Sequence, residues 1–593
     1  MNLSFPSVMH ALQTHAETKP DRTAFTFLTD GGSMQTDLTF RDLRNRAMSI
    51  AAHLERLQCR GQRILLLFSS EQAFVTGFYG CMSADAIPVP VCPVNPKSHR
   101  LSLRVIEHII GDAEPIAVLG DTQAISDLRA AIRSRDAYVQ NPDTVKAEDF
   151  MGVKLICTDE IPDTCAGRGQ FASFPRADDP AYLQYTSGSL SQPKGVVISH
   201  GNIIANLELG AYLIGLDTDM VGVGWVPLFH DLGLVCYVLS PVLFGYHSIL
   251  MSPVLFMLRP VFWLQTISRF RCTHAAAPNF AYELCTKRTS PEQKAELDLS
   301  TWRVAGNGGE PVRKSTLDRF SNAFRDCGFR MSSFYPTLGL AETVLFAAAG
   351  KNPDQAPASV CLSRQDLEKN LVTPAADNTE SACQEMVSCG ITGPDHEIAI
   401  VNPVSRCRCK SREIGEIWLR GPSIAKGYWN RAAESRQTFG GELADGSGQT
   451  FLRTGDMGFL YEEQLYIVGQ YKEMIICRGK NIFPQDMEAF AEESHTELRP
   501  GFSASFSIGS AEEERIVFVA EVDLGKLAAG GRSLPELAAS VWESICRRHE
   551  IRPERVVLIK PSTIPRTTSN KVQRGLCREQ YLLNKLTILL CYP

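Results

Sequence analysis

The sequence has no surplus of positive charge: 60 Lys and Arg stand against 66 Asp and Glu, a formal net charge of -6 over 593 residues. With a pI near 6.1 it lacks the footprint of a protein whose main partner is nucleic acid or an anionic membrane. Its 18 cysteines include no C-x-x-C pair, and Cys407 and Cys409 form only a C-x-C in a basic loop. That pattern excludes the common zinc spacings and favours a reducing compartment over a disulfide framework. Residues 1–15 lack a basic start followed by an apolar core, so no signal peptide is read and a cytoplasmic location is expected. There is no repeat of fixed period, no low-complexity tract and no G-x-x-x-x-G-K-[ST] loop. An unbroken apolar span is missing too. Leu232 to Leu258 carries no Asp, Glu, Lys or Arg, but Pro241, Gly245, His247 and Pro253 interrupt it. It is expected to form a buried helix and a buried strand rather than a transmembrane segment.

What is present is ample core and a regular alternation of elements. Hydrophobic residues make up 44% and charged residues 21%, so a chain of this length divides into several globular units. Leu43, Ala47 and Ile50 recur at helical spacing between Leu38 and Leu57, with Thr39 as N-cap. Strand runs follow at 63–68, 86–91 and 116–120, with helices from Glu71 and over 124–132. This alternation predicts a parallel, doubly wound sheet. From Glu397 the pattern changes to short strands, at 398–401, 416–420, 459–461 and 464–468, which predicts a small β-rich subdomain.

The stretch that organises the rest is Gln184 to His200. A strand end, 181–185, runs into Thr186-Ser187-Gly188-Ser189-Leu190, and then Lys194 and Gly195 precede a second β-rich run. Small residues let a ligand approach the backbone, hydroxyls and N–H groups suit phosphate oxygens, and Lys194 adds a cation. Further on stand Trp225-Val226-Pro227-Leu228-Phe229-His230-Asp231-Leu232-Gly233-Leu234, and a strand running into a helix begun by Pro278, containing Asn279 and Phe280. A glycine turn holds Gly308, Gly309, Glu310 and Pro311; then come Leu338-Gly339-Leu340-Ala341-Glu342. A polar, proline-punctuated stretch without clear period covers about 351–384 and leads to Val387-Ser388-Cys389-Gly390. The last motifs are Thr454-Gly455-Asp456, Gly469-Gln470-Tyr471-Lys472, and Pro565-Arg566-Thr567-Thr568-Ser569-Asn570-Lys571.

In this order, from about Leu38 to Arg574, the motifs resemble those of the adenylate-forming superfamily of acyl-CoA synthetases, peptide-synthetase adenylation domains and luciferases. The 274–282 run, the 351–384 insertion and the V-S-C-G motif make the chain similar to fatty acyl-AMP ligases. The resemblance implies an α/β fold: a large N-terminal domain of doubly wound α/β subdomains plus a small β-barrel-like subdomain (1–468, the β-rich part about 390–468), then a small mobile α+β C-terminal domain (469–593). It implies that fatty acid and ATP give acyl-adenylate and pyrophosphate, and that the acyl group passes to the phosphopantetheine of an acyl carrier protein. In that scheme Thr186, Ser187, Gly188, Ser189 and Lys194 cradle the phosphates and Glu342 binds Mg²⁺. Gly308, Gly309, Glu310, Pro311, Leu338 and Gly339 lie around the adenine, and Asp456 takes the ribose hydroxyls. His230 lies beside the carboxylate, and Lys571 bridges carboxylate and α-phosphate. Lys472 is the hinge, and Leu232, Gly233, Asn279 and Phe280 line the acyl pocket. Leu190, Leu338, Val344 and Gln470 depart from the family pattern in the nucleotide motifs. Two alternatives therefore stay open: an acyl-CoA synthetase, and a weakened paralogue that binds nucleotide or acyl chain. The chain is expected to act as a monomer.

Overall fold

The computed structural model describes the chain except residues 1–4, 33, 96–98, 137–148, 164–170, 172–173, 187–191, 351–354, 376–382, 447, 478–479, 510–514, 550 and 568–570, with backbone alone at 30, 100 and 101. Ser187, Gly188, Ser189, Leu190 and Asn570 thus lie outside the described residues. The largest sheet has eight strands, in the order Phe346–Ala349, Phe334–Gly339, Val304–Gly308, His274–Ala277, Val221–Gly224, His247–Met251, Thr23–Thr29, Met34–Thr39. Its inner pairs are parallel, and antiparallel strands close both edges. A second, five-stranded sheet runs Ile87–Pro90, Arg63–Leu67, Ala117–Gly120, Val153–Cys157, Asp149–Phe150, parallel except for its last pair. Helices from the crossovers cover these sheets, so strands such as Arg63–Leu67 are buried almost throughout.

Local chemistry explains the element ends. Thr39 caps the helix Phe40–Glu55 through a capping box with Asp42. The uncharged span divides into the short helix Asp231–Leu234, a π-helical turn Val235–Leu239, the helix Ser240–Phe244 and the strand His247–Met251. Gly245 ends the second helix at φ 74°. Among the described residues no helix is long and apolar enough to cross a membrane.

The β-rich part is a five-stranded sheet built on the long strand Thr450–Tyr461. Thr454-Gly455-Asp456 lies inside that strand, at a bulge. Glu416 makes the bend: its carboxylate accepts from Arg453 at 2.9 Å and from the Gly455 N–H at 3.2 Å. The C-terminal part carries a four-stranded sheet of Leu498–Ile508, Arg515–Val522, Arg555–Ile559 and Ile588–Tyr592.

The insertion carries structure that its sequence pattern does not reveal. The 351–384 insertion showed no period, yet it forms the strand Ser359–Ser363, a helical turn Arg364–Leu367 and, with its end, the antiparallel strand Cys383–Val387. The two strands are joined by a Cys361–Cys383 disulfide, with Cα atoms 5.8 Å apart. Cysteines 22 residues apart in a polar stretch carry no spacing signal; the hairpin brings them together. The insertion's Leu362, Leu367 and Val372, with Met386 just after it, pack into one apolar cluster with Phe459 and Val468 of the β-rich sheet and with Phe483 beyond it. Full burial of Leu362 alone contributes about 1.5–3 kcal/mol, which fixes the insertion against the body.

Candidate active site

The strands Pro180–Tyr185 and Gly195–Ser199 form an antiparallel hairpin whose loop is the hydroxyl-rich stretch. The Thr186 N–H donates to the Lys194 carbonyl at 3.0 Å and closes the loop's neck. Gln184, inside this hairpin, donates to the Phe229 carbonyl at 2.9 Å. That bond ties the residue before His230 to the hairpin, and His230 is the N-cap of the helix Asp231–Leu234. Gly233 is required by space: a Cβ there would lie 2.2 Å from the Pro227 carbonyl oxygen.

Glu342 follows the edge of the large sheet on a single helical turn, Ala341–Thr343. The Tyr428 hydroxyl donates to its Oε1 at 2.8 Å. Burial pushes this carboxyl up, the Tyr428 bond and Lys194 pull it down, and Asp231 adds to the rise. Val344, which replaces the family's threonine, sits at φ 73°, ψ -60°, a γ-turn that strains a β-branched residue by about 1–3 kcal/mol. The buried Asn206 amide holds this turn, donating to the carbonyls of Thr343 at 2.7 Å and Phe346 at 2.8 Å. The sequence reading missed Asn206, Tyr428 and the Glu434 described below. An asparagine in a helix and a Tyr-Trp-Asn run carry no chemical signal until the chain is folded.

The glycine turn lies at the end of the strand Val304–Gly308. A Cβ on Gly308 would meet Thr337 Oγ1 at 2.2 Å, and Gly309 has φ 79°. Glu310 accepts the Phe280 N–H at 2.6 Å. Burial raises its pKa, with Arg313, Lys571 and Arg566 opposing. Asp456 is pushed up to about 6, chiefly by burial; the Gln470 side chain bonded to it and the nearby Lys571 lower it. His230 is pushed down to about 4 by burial; Asp231 raises it and Lys571 lowers it further. Lys571 is thus within electrostatic reach of His230, Glu310 and Asp456 at once. It stands on a tight hairpin: the Thr567 N–H donates to its carbonyl at 2.8 Å, and its N–H donates to Thr567 Oγ1 at 3.1 Å. Residues far apart in the chain converge here.

Some expected site residues are used otherwise. Asn279 is tied into a buried polar knot, donating to Thr316 Oγ1 at 3.1 Å and accepting from Asn307 at 3.2 Å and from the Arg313 N–H at 3.3 Å. These bonds engage both ends of its amide with protein partners. Phe280, in contrast, meets Trp225 edge-on at 6.1 Å, and Trp225 stacks on Phe256 at 3.7 Å. Leu232 packs against the same large core. Leu338 was expected to cover the adenine face. It is 6% exposed and packs with Ala348, Leu452 and Leu465, so the sheet contact takes most of its surface. Lys472 is exposed, in the turn Tyr471–Glu473. The neighbouring Glu473 pairs with Arg574 at 2.7 Å, and Arg574 also grips Glu488 at 2.6 Å.

The insertion reaches the segment after that turn. The Asn481 N–H donates to the Glu368 carbonyl at 3.0 Å, Lys480 pairs with the Glu368 carboxylate at 3.1 Å, and the Asp486 carboxylate bonds to Gln384.

Magnesium is implied by the family. Among the described residues no group of three or more His, Cys, Asp or Glu could hold a metal ion. One buried carboxylate, Glu342, with Asp231 near it, still fits a magnesium ion that keeps waters and takes substrate phosphates as its other ligands.

Glu342, His230, Glu310 and Asp456 thus gather near the 180–199 hairpin and Lys571 of the C-terminal part. The model of the AMP-binding enzyme family matches residues 12–429, and that of the Disco-interacting protein 2-like AMP domain matches 472–590. The chain belongs to the AMP-binding enzyme family. A medium-chain-fatty-acid–[acyl-carrier-protein] ligase, JamA of Moorena producens, is 37% identical over 98% of this chain and 95% of its own. A second such ligase, TtuA of Teredinibacter turnerae, is 31% identical over 98% and 94%. The crystal structure of a fatty acyl-adenylate ligase from Legionella pneumophila, in complex with acyl adenylate and pyrophosphate, is 31% identical with a TM-score of 0.74, covering 100% of this chain and 98% of that one. Within the family this protein is a fatty acyl-AMP ligase.

Proposed function

We propose that the site activates a fatty acid with ATP, releases pyrophosphate, and passes the acyl group to the phosphopantetheine thiol of an acyl carrier protein. The observation that carries this reading is the convergence of Lys571 with His230, Glu310 and Asp456, and of Asp456 with Glu342. The carboxylate of the fatty acid attacks the α-phosphate; the new bond is C–O–P, and pyrophosphate carries away the electron pair of the broken P–O bond. Lys571 neutralises the charge that develops between carboxylate and α-phosphate. His230, neutral at working pH, donates or accepts a hydrogen bond beside the carboxylate without adding charge. Ionised Asp456 accepts from the two ribose hydroxyls. Thr186, Lys194 and the loop between them hold the β- and γ-phosphates, and Glu342 would hold Mg²⁺, which supplies charge neutralisation of those phosphates. Phe280, Trp225 and Leu232 offer apolar surface to the acyl chain. The protein acts as a monomer in the cytoplasm.

The insertion's bonds to Lys480, Asn481 and Asp486 support a second element: it restrains rotation about Lys472 and so disfavours transfer to CoA. A restraint worth about 1.4 kcal/mol changes a two-state population tenfold. The test measures pyrophosphate release over a panel of fatty acids, then offers CoA or acyl carrier protein as acceptor. Adenylate formation with transfer to the carrier and little to CoA is expected. Rapid acyl-CoA formation by the intact protein would assign it to the synthetases instead, and no pyrophosphate release from any fatty acid would leave the weakened paralogue.

A further inference from the structure

Lys194 already has an anionic partner on the protein. Its Nζ lies 2.6 Å from Glu434 Oε2 and 5.0 Å from the centre of the Tyr428 ring. Glu434 sits on the helix Ala432–Phe439, which follows the Tyr428 loop. Arg431 approaches the same carboxylate at 3.3 Å and holds Asp112 at 2.8 Å. Asp112 in turn accepts the Tyr185 hydroxyl at 2.7 Å, and Tyr185 is the last residue of the strand entering the loop. On the other side the His108 ring meets the Pro193 carbonyl at 3.0 Å, and the Trp429 N–H donates to the Gly195 carbonyl at 2.7 Å. Both ends of the loop are therefore anchored from outside it, while the Lys194 ammonium is held by a carboxylate.

A carboxylate and a phosphate present the same thing to an ammonium group: anionic oxygens that accept hydrogen bonds. Lysine is a compact cation on a flexible stem and can change partners; arginine's planar fork is better held in place. We infer that Glu434 is a positioning residue for ATP, a carboxylate that stands in for phosphate as the partner of Lys194 and gives it up when the triphosphate enters. Arg431 remains on the vacated carboxylate, so releasing Lys194 leaves Glu434 paired. The Tyr428 ring lies against the Lys194 ammonium, and the same residue holds Glu342, so one loop contacts both the lysine and the acidic group. Glu434 thus competes with ATP for Lys194, and the protein binds ATP less tightly than its loop alone would.

The inference rests on the assignment of Lys194 to the β- and γ-phosphates. Equilibrium binding of ATP and of AMP to the full-length protein, without fatty acid, tests it in four forms: wild type, Glu434→Gln, Lys194→Ala and the double variant. The pair is partly exposed, so its loss corresponds to about a two- to fivefold factor. Glu434→Gln is expected to tighten ATP by that factor, to leave AMP unchanged because AMP has no β- or γ-phosphate, and to lose its effect in the Lys194→Ala background. Unchanged or weaker ATP binding overturns the inference. So does equal tightening with and without Lys194, which would mean plain charge repulsion, or an equal change for AMP, which would mean a structural role. If Lys194→Ala binds ATP as the wild type does, the assignment of Lys194 fails, and the inference falls with it.

Discussion

The two halves of the site are built differently. On the phosphate side, Lys194 is paired with Glu434, Glu342 is bonded to Tyr428, and Asn206 and Glu416 fix the turns behind the motifs. Glu434 lies on the helix Ala432–Phe439, Tyr428 in the loop before it, Asn206 on the helix His200–Ile214 and Glu416 on the strand Gly415–Arg420, all before the C-terminal part. On the other side, Lys571 stands exposed on a hairpin closed by its own backbone and Thr567, and meets the rest of the site through the placement of the whole C-terminal part. The difference separates binding from chemistry. Under the proposed function, the groups assigned to ATP are pre-set by short-range bonds, whereas the lysine assigned to the transition state is delivered by a domain contact.

The sharpest way to break this comparison is at Lys571. Lys571→Ala should lower the rate of pyrophosphate release by about 10²–10³ while ATP binding changes little. An equal loss of ATP affinity would mean that Lys571 belongs to the binding half. Next in size is Glu342→Gln, which should raise the Mg²⁺ concentration needed for half-maximal rate at least about tenfold, read by magnesium titration. An unchanged requirement would remove Glu342 from the metal. Tyr428→Phe sharpens the contrast, because it deletes one hydrogen bond on the binding side only. A bond to a charged group is worth about 1.5–3 kcal/mol when formed, so a shift of the magnesium requirement in the same direction as Glu342→Gln, but smaller, is expected.

The smallest effect concerns pH. Asp456 has its folded pKa raised from the ordinary value to about 6, so it gains a proton as pH falls through that value and then no longer accepts two ribose hydroxyls. ATP affinity should weaken below about pH 6 and level off above it. His230, at about 4, remains neutral across this window and does not contribute. For stability the sign is reversed: a raised carboxyl favours the fold at low pH, and that contribution is lost as pH rises from the unfolded value to about 6. Gln470→Arg puts a cation beside Asp456 and should move the inflection in ATP affinity to lower pH. An inflection that stays in place would show that Asp456 is not its source.

Much of the fold was legible because its signals are local. Thr39 caps its helix as read, the strands at 63–67 and 117–120 lie where apolar runs placed them, and Pro278 begins the helix that carries Phe280. The insertion was not legible: its two strands are separated by a polar stretch, and their apolar residues acquire meaning only against Phe459, Val468 and Phe483. The departures from the family pattern read as losses in the sequence but have definite places in the structure. Gln470 bonds to Asp456, Leu338 fills a core under the β-rich sheet, and Val344 occupies a strained turn clamped by Asn206.

The sequence by itself determined the order of the motifs, the chemical type of each group and the family, because loop composition and period are properties of adjacent residues. Tertiary structure alone decided which charges face one another. Asp112, Lys194 and the segment from Tyr428 to Glu434 are far apart in the chain and ordinary in composition. Only the packing of the helix Ala432–Phe439 beside the 180–199 hairpin brings that lysine onto a carboxylate. Only the seating of the C-terminal part brings Lys571 to His230 and Asp456, because electrostatic coupling depends on distance in space and not on distance along the chain.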